Sequence, residues 1–217
     1  MRSFADKIAA SFPAQAALPH EIRLTLDWLE ANGSVHTYTN SKSRYASLFV
    51  PAVEGTALSN VTFNPIESGH GLHWGQIDAV SAERLAPFIR TGGDGSYAAL
   101  WRDDSGTQKF VHLGSGSGSV MACVLVDNPI DMLRLMAIGY DELCWRENFA
   151  MTPAEVAAEN DEADIYVAPR AFRTFVESTF NVTIPRTASQ LVPNPTDIGN
   201  TSDPFWRWID SNQSSKK

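Results

Sequence analysis

The sequence has little cysteine and no long apolar segment. Its only two cysteines, Cys123 and Cys144, sit among apolar residues without the spacing of a metal site or a redox motif. This pattern predicts two free, buried thiols in a reducing compartment rather than a disulfide. The longest uncharged apolar run, Val120 to Val126, is too short to span a bilayer. Charged residues between Met1 and Lys7 precede any apolar run, so a signal peptide is not expected. These absences favour a soluble cytoplasmic protein.

Basic residues are also scarce. Lysine and arginine total 17 against 25 acidic residues, which gives a formal net charge of -8. The basic residues are scattered, so the sequence predicts no nucleic-acid ligand, because binding to phosphates needs a basic patch. The excess of acidic residues is concentrated between Asp141 and Asp164, a segment with eight acidic residues and one basic residue, Arg146. Such a run is typical of a solvated surface, and it is equally the composition of a docking surface for a cationic protein.

No catalytic motif is present. The glycine-rich loop Gly114–Ser119 has glycine where a nucleophile elbow needs serine, and a strand-like segment follows where a dinucleotide site needs a helix. A phosphate-binding loop is excluded because no lysine occurs between Lys109 and Lys216. We therefore interpret this segment as a flexible, exposed loop between strands.

The histidines give no better signal for an enzyme. His70 and His73 flank Gly71 and Leu72 in a loop, a spacing that allows two imidazoles to approach one metal ion, but no third ligand is identifiable. His112 lies between Val111 and Leu113 in a predicted strand, where polar and apolar residues alternate. No histidine accompanies a serine or cysteine and an acid in a recognisable triad. A metal-dependent enzyme using the loop of His70 and His73 is thus the least favoured function.

The order of the predicted elements is that of an α+β module. Apolar residues at helical spacing predict a helix from Leu18 to Gly33, and turn signals bound a hairpin of Tyr97–Trp101 and Lys109–Leu113. The remaining predicted elements are strands at 45–53, 60–63 and 120–126, helices at 81–88, 129–140 and 169–180, a proline-rich loop at 184–203, and an aromatic turn from Asp203 to Trp208. A short acidic helix is also predicted to start at Thr152-Pro153-Ala154-Glu155, which has the pattern of a capping box. A polar tail follows, and we expect it to be disordered over 210–217.

This order resembles that of the SUKH superfamily, the Smi/Knr-like proteins. The leading helix begins at Leu18-Pro19 and closes at Asn32-Gly33, and the pair Pro87-Phe88 precedes the glycine turn Gly92–Gly95 and the hairpin. The strand Val120–Val126 and the helix that follows it complete the similarity, which covers about the first two thirds of the chain and is weak near residues 35–80.

The resemblance implies an α+β fold with a mixed, mostly antiparallel sheet flanked by helices and a C-terminal helical extension. Residues 1–145 would form the SUKH-like core, and residues 146–217 would pack on it. The resemblance implies no catalytic residue, cofactor or metal. It implies a cytoplasmic immunity protein that neutralises a cognate bacterial toxin, for instance a nuclease, by blocking its active site. A regulatory or scaffold protein of the Smi/Knr type is the alternative.

The acidic window, defined as residues 141–164, supplies most of the candidate partner-binding residues. Aromatic and charged side chains together are typical of interface hot spots, and the acidic segment ends in Ile165-Tyr166. We therefore predict contact with a basic protein partner through a set of acidic residues, one tyrosine and the glycine turn that holds Asp94. The set is Glu155, Glu159, Asp161, Glu162, Asp164, Tyr166 and Asp94. Neither a nucleic acid nor a membrane is expected as a partner.

Overall fold

The computed structural model describes residues 2–66, 74 and 76–213. The helices in this part of the chain are α1 (Phe4–Ala10), α2 (His20–Ala31), α3 (Pro51–Glu54), α4 (Ala79–Ala82), α5 (Pro129–Ile138), α6 (Pro153–Glu159), α7 (Arg170–Phe180) and α8 (Pro204–Ser211), with 3-10 turns at Arg146–Ala150 and Ala188–Gln190. The strands are β1 (Val35–Thr37), β2 (Arg44–Ser47), β3 (Thr62–Phe63), β4 (Leu85–Arg90), β5 (Tyr97–Arg102), β6 (Gln108–Leu113) and β7 (Ala122–Val126). None of the described helices is both long and apolar enough to cross a membrane.

The described strands form one seven-stranded sheet in which each strand pairs with the next along the chain. The predicted α+β class is confirmed, and every pairing is antiparallel where a mixed, mostly antiparallel sheet was expected. The predicted hairpin is confirmed as β5 and β6, which remain in register from Tyr97 opposite Leu113 to Arg102 opposite Gln108. Strictly sequential pairing follows from the short turns that connect most of the strands.

The helix predicted to end at Ala86-Pro87-Phe88 is wrong, because these residues lie in β4. Leu85 to Ile89 are all buried, as expected for a strand covered on both faces, and such a run lacks the alternation that identifies a strand in sequence. Proline has no amide proton for the ladder, and here the register of β4 against β5 shifts between Pro87 and Ile89. A bulge of this kind is the place where an inner strand tolerates proline. The preceding helix is only the short α4.

Alternation along the central strands divides the core between the two faces of the sheet. Leu100 and Phe110 point to the face covered by α1, α2, α5 and α7, whereas Trp101 and Val111 point to the face covered by α8. The segment after Arg146 contributes to both sides. Phe172 and Val176 of α7 lie in the first cluster, with Phe205 and Ile209 of α8 in the second. The predicted extension therefore shares its buried surface with the strands.

The C-terminal region is ordered further than the sequence predicted. Helix α8 continues to Ser211, and Gln213 forms an isolated antiparallel bridge with Ile77. The Ser81 hydroxyl donates to the side-chain oxygen of Asn212 at 2.9 Å. Residues 210–213 are therefore held against the fold, which contradicts a disordered tail beginning at 210, and residues 214–217 lie outside the described part.

The prediction of two free, buried cysteines is confirmed. Cys123 and Cys144 form no disulfide, and each side chain is almost completely enclosed. Burial raises the pKa of both thiols, chiefly because a thiolate would lose its hydration inside the core. Both are consequently protonated and unreactive at neutral pH.

Candidate functional site

A cleft of about 520 Å³ opens beside the C-terminal end of α5. Its walls come from the loop 58–60, the segment 139–145, helix α6 and the segment 160–167 that follows α6. Apart from α6, each of these pieces lies at the end of a helix or next to a strand, so most of the cleft is built from loops on a packed scaffold. This is the arrangement in which binding residues are usually presented.

One wall depends on how α5 ends. Gly139 follows the helix with φ of +97°, a left-handed conformation that glycine adopts without strain. A Cβ atom at this position would lie 2.6 Å from Cδ of Pro169. The turn directs Tyr140 inward, where its hydroxyl donates to the carbonyl of Met151 and accepts from the amide of Ala188. Burial raises the pKa of the Tyr140 phenol, so the hydroxyl keeps the proton that it donates to Met151.

Asp141 and Glu142 follow Tyr140, and both line the cleft. Asp141 accepts from the side-chain amide of Asn60 at 3.0 Å, and its own carbonyl accepts from the Asn60 backbone at 3.1 Å. Glu142 accepts from the Gly93 amide at 2.6 Å through one oxygen and from the indole N–H of Trp145 through the other. Both oxygens of Glu142 are therefore occupied, whereas one oxygen of Asp141 receives no hydrogen bond from the described residues.

Helix α6 is capped at both ends by hydrogen bonds between neighbouring residues. Its start has the predicted capping box, in which Glu155 accepts from the Thr152 amide at 2.7 Å and the Thr152 hydroxyl accepts from the Glu155 amide. Its end is a Schellman motif, because the Glu162 amide donates to the Ala157 carbonyl at 2.7 Å while Asp161 has φ of +58°. This reversal carries the following residues back across the cleft.

Only part of the predicted contact set reaches this cleft. Glu162 and Tyr166 line it. Glu155 and Glu159 are exposed on a different face of α6 from the lining residues Val156 and Asn160. Asp161 and Asp164 are exposed in the neighbouring segment and do not form the wall. The acidic window is thus divided into residues that line the cleft and residues that surround it with negative charge.

Asp94 has a different environment. Its carboxylate accepts from the amide and hydroxyl of Ser96, the hydroxyl of Ser115 and the amide of Ser119, at 2.7 to 3.0 Å. Burial alone would raise the pKa of Asp94, but these bonds outweigh burial and lower it. The loop Gly114–Ser119 is therefore fastened to the turn Gly92–Gly95, although we expected it to be flexible. Asp94 serves the fold, and its oxygens are already taken by donors of the same chain.

Exposed apolar side chains gather at the mouth of the cleft. Leu58 is 63% exposed, Ile165 is 74% exposed and Val167 is 39% exposed, and all three belong to its lining. The charged residues of the lining are Asp141, Glu142 and Glu162, and no described lysine or arginine joins them. An exposed apolar patch with a polar rim is typical of an interaction site.

Sequence analysis missed several residues of this site. Asn60, Trp145 and Leu58 carried no motif, because their roles depend on chain segments that are distant in sequence. The pair Asp141-Glu142 lies two residues after Gly139, the glycine that ends α5, and three residues before Trp145. Two acids between a glycine C-cap and a tryptophan are the sequence signal that could have indicated this wall.

Among the described residues, no group of three or more histidines, cysteines or acids is placed to hold a metal ion. His70 and His73 lie outside the described residues. His112 is fully buried in β6 between Thr91 and the carbonyl of Met121, so it has no open position for a substrate or a metal.

No protein-family model matches the chain, and the comparisons with curated proteins and with solved structures find no match. The resemblance to the SUKH superfamily therefore depends on the order of the sequence motifs. One of them, Pro87-Phe88, lies inside a strand rather than at the end of a helix.

Proposed function

We propose that the chain is a non-catalytic protein-binding module: a cytoplasmic immunity protein of SUKH type that binds and neutralises a basic bacterial toxin. The observation that carries the proposal is the cleft, where exposed Leu58 and Ile165 meet a lining whose charged residues are all acidic. Apolar surface of this kind is stabilised when a partner covers it, and a uniform negative rim selects a positively charged partner.

The charge around the cleft supports the same proposal. Glu159, Asp161 and Asp164 are exposed, and none forms an ion pair with another described residue. Unpaired charges of one sign extend their field into solvent and speed the encounter with an oppositely charged protein. A nuclease is the toxin class that fits best, because an active site built to bind phosphate is positively charged. Neutralisation then consists of covering that site.

The test begins with capture of partners from the native cells by the full chain, followed by identification by mass spectrometry. Each captured basic protein is expressed from an inducible promoter in a second host, with and without this chain. The proposal expects growth arrest by one partner and its relief by coexpression. A captured partner that is harmless in this assay would overturn toxin neutralisation and favour the regulatory or scaffold role.

A further inference from the structure

We infer that the cleft receives a protruding arginine of the partner together with an adjacent aliphatic side chain. The inference deepens the proposed function and rests on it for the partner being a basic protein. Its basis is the combination, within one cleft, of unpaired carboxylate oxygens, aromatic faces and exposed aliphatic side chains.

The exposure of its lining indicates that the cleft receives part of a macromolecule. A volume of about 520 Å³ is large enough for a small ligand or for a few protein side chains. Leu58 and Ile165 are more than half exposed although they line the cleft. A small ligand inside the cleft would leave these outer surfaces in water, whereas a protein partner that inserts one residue would cover them.

The carboxylates of the cleft leave acceptor oxygens for a cation. Glu162 is exposed and forms no side-chain hydrogen bond or ion pair with the described residues, and one oxygen of Asp141 is equally free. Glu142 is different, since Gly93 and Trp145 occupy both of its oxygens. An incoming cation thus finds acceptors at Glu162 and Asp141, and no lysine or arginine among the described residues of the lining competes for them.

Arginine fits better than lysine. Its guanidinium is planar, donates two parallel hydrogen bonds to a carboxylate and stacks on aromatic rings. Trp145 and Tyr166 are half-buried and line the same cleft as Glu162. The Trp145 indole N–H is already bonded to Glu142, which fixes the orientation of the ring before any partner arrives. An oriented aromatic ring and a free carboxylate in one cleft form an environment that favours a guanidinium over an ammonium group.

The probe is a fluorescein-labelled octapeptide of alternating arginine and leucine, titrated with the full chain and followed by fluorescence anisotropy. Three further peptides replace arginine by lysine, arginine by glutamate, or leucine by glycine. The measurements are made in 0.3 M salt, where screening suppresses attraction beyond the first contacts. We expect saturable binding of the arginine-leucine peptide, weaker binding of the lysine and glycine peptides, and none of the glutamate peptide.

Matched variants decide whether the peptide occupies the cleft. Glu162→Gln and Glu159→Gln remove the same charge from exposed sites of one acidic segment, but only Glu162 lines the cleft. Ile165→Ser and Val80→Ser remove side chains that are 74% and 76% exposed, and only Ile165 lines the cleft. We expect about threefold weaker binding for Glu162→Gln and Ile165→Ser. Glu159→Gln and Val80→Ser are expected to leave the affinity unchanged.

Equal weakening by Glu162→Gln and Glu159→Gln would overturn the inference, because diffuse attraction would then explain the binding. An affinity insensitive to Ile165→Ser, or equal for the lysine and arginine peptides, would overturn it as well. These results are independent of the coexpression assay. If the captured toxin is neutralised equally well by the Glu162→Gln and Ile165→Ser variants, the inference fails while the proposed function stands. If peptides bind in the cleft and no captured protein is toxic, the proposed function fails.

Discussion

Thr91 and His112 form a buried hydrogen bond, in which Oγ1 of Thr91 lies 2.9 Å from Nε2 of His112. The other ring nitrogen, Nδ1, lies 2.8 Å from the Met121 carbonyl, which can only accept. Nδ1 therefore carries a proton, and at neutral pH, where the lowered pKa of His112 leaves the ring uncharged, Nε2 accepts from the Thr91 hydroxyl. Burial lowers the pKa of His112 to about 4, although the Met121 carbonyl and the negative charge of Asp94 favour the protonated form.

The first prediction is that acid destabilises the protein through His112. At pH values between the ordinary histidine pKa of 6.5 and the folded pKa of about 4, His112 is protonated in the unfolded chain and neutral in the folded chain. Stability is therefore lost as the pH falls through this window. At about 1.4 kcal/mol per pH unit, the loss from this residue is about 2 kcal/mol at pH 5 and about 3 kcal/mol at pH 4.

Urea unfolding at pH 7 and pH 5 checks this prediction, with His112→Asn as the comparison. Asparagine keeps a donor for the Met121 carbonyl but does not titrate. The variant is less stable at pH 7, and its loss of unfolding free energy on going to pH 5 should be smaller than that of the parent by about 2 kcal/mol. Parallel losses in both proteins would contradict the assignment.

The second prediction concerns Asp94 as the anchor of the glycine-rich loop. Asp94→Ala removes the acceptor of four donors from Ser96, Ser115 and Ser119, and we expect a loss of about 2 kcal/mol in unfolding free energy. The control is Asp104→Ala, because Asp104 is 86% exposed in its ion pair with Arg84 and should cost about 0.5 kcal/mol or less. Chemical denaturation at pH 7 measures both, and equal losses would show that the loop is not anchored in this way.

The third prediction concerns the turn that shapes the cleft. Gly139→Ala places a Cβ on a residue whose φ is +97°, which strains the backbone, and brings that Cβ into a clash with Pro169, so the expected loss is about 3 kcal/mol. Gly33→Ala is matched in its positive φ of +78°, but its new Cβ would meet no atom of the described residues within 4 Å apart from its own chain neighbours. It should cost only about 1 kcal/mol. Thermal unfolding separates the two, and similar losses would mean that the contact with Pro169 is not limiting.

Sequence analysis succeeded where the signal was local. The capping box of Thr152 and Glu155 and the turn between β5 and β6 are encoded by neighbouring residues, and both are confirmed. Helix α1 was missed, although Ser3 caps it by accepting from the Asp6 amide, because only Phe4, Ala5 and Ile8 of its short span are buried. The segment predicted as one strand at 45–53 divides into β2 and the short helix α3 at Pro51.

The cleft was harder to predict because tertiary contacts create it. Asn60 and Asp141 are far apart in sequence and meet through two hydrogen bonds. Periodicity and motif spacing contain no information on such a contact. The charge of the site was visible in the sequence, whereas the division of the acidic residues between the cleft and the outer face of α6 required the course of the chain after Asp161.

The last prediction separates the two groups of acidic residues by kinetics. Residues outside the cleft should act on the encounter, since charges that touch nothing in the complex still contribute to the long-range field. Reversing Glu159 and Asp164 to lysine should lower the association rate constant for the captured toxin severalfold in 20 mM salt and leave dissociation unchanged. Glu155 is left intact because it caps α6, and Asp161 because of its left-handed backbone.

The cleft residues should act in the opposite way. Glu162→Gln combined with Ile165→Ser removes contacts of the bound state, so it should raise the dissociation rate constant severalfold while association changes little. Raising the salt to 0.3 M should abolish most of the effect of the outer reversals and preserve most of the effect of the cleft variants. Surface plasmon resonance at the two salt concentrations measures the association and dissociation rate constants of the parent and of both variants. If the outer reversals accelerate dissociation in 0.3 M salt, those acids contact the partner directly, and the cleft is not the whole interface.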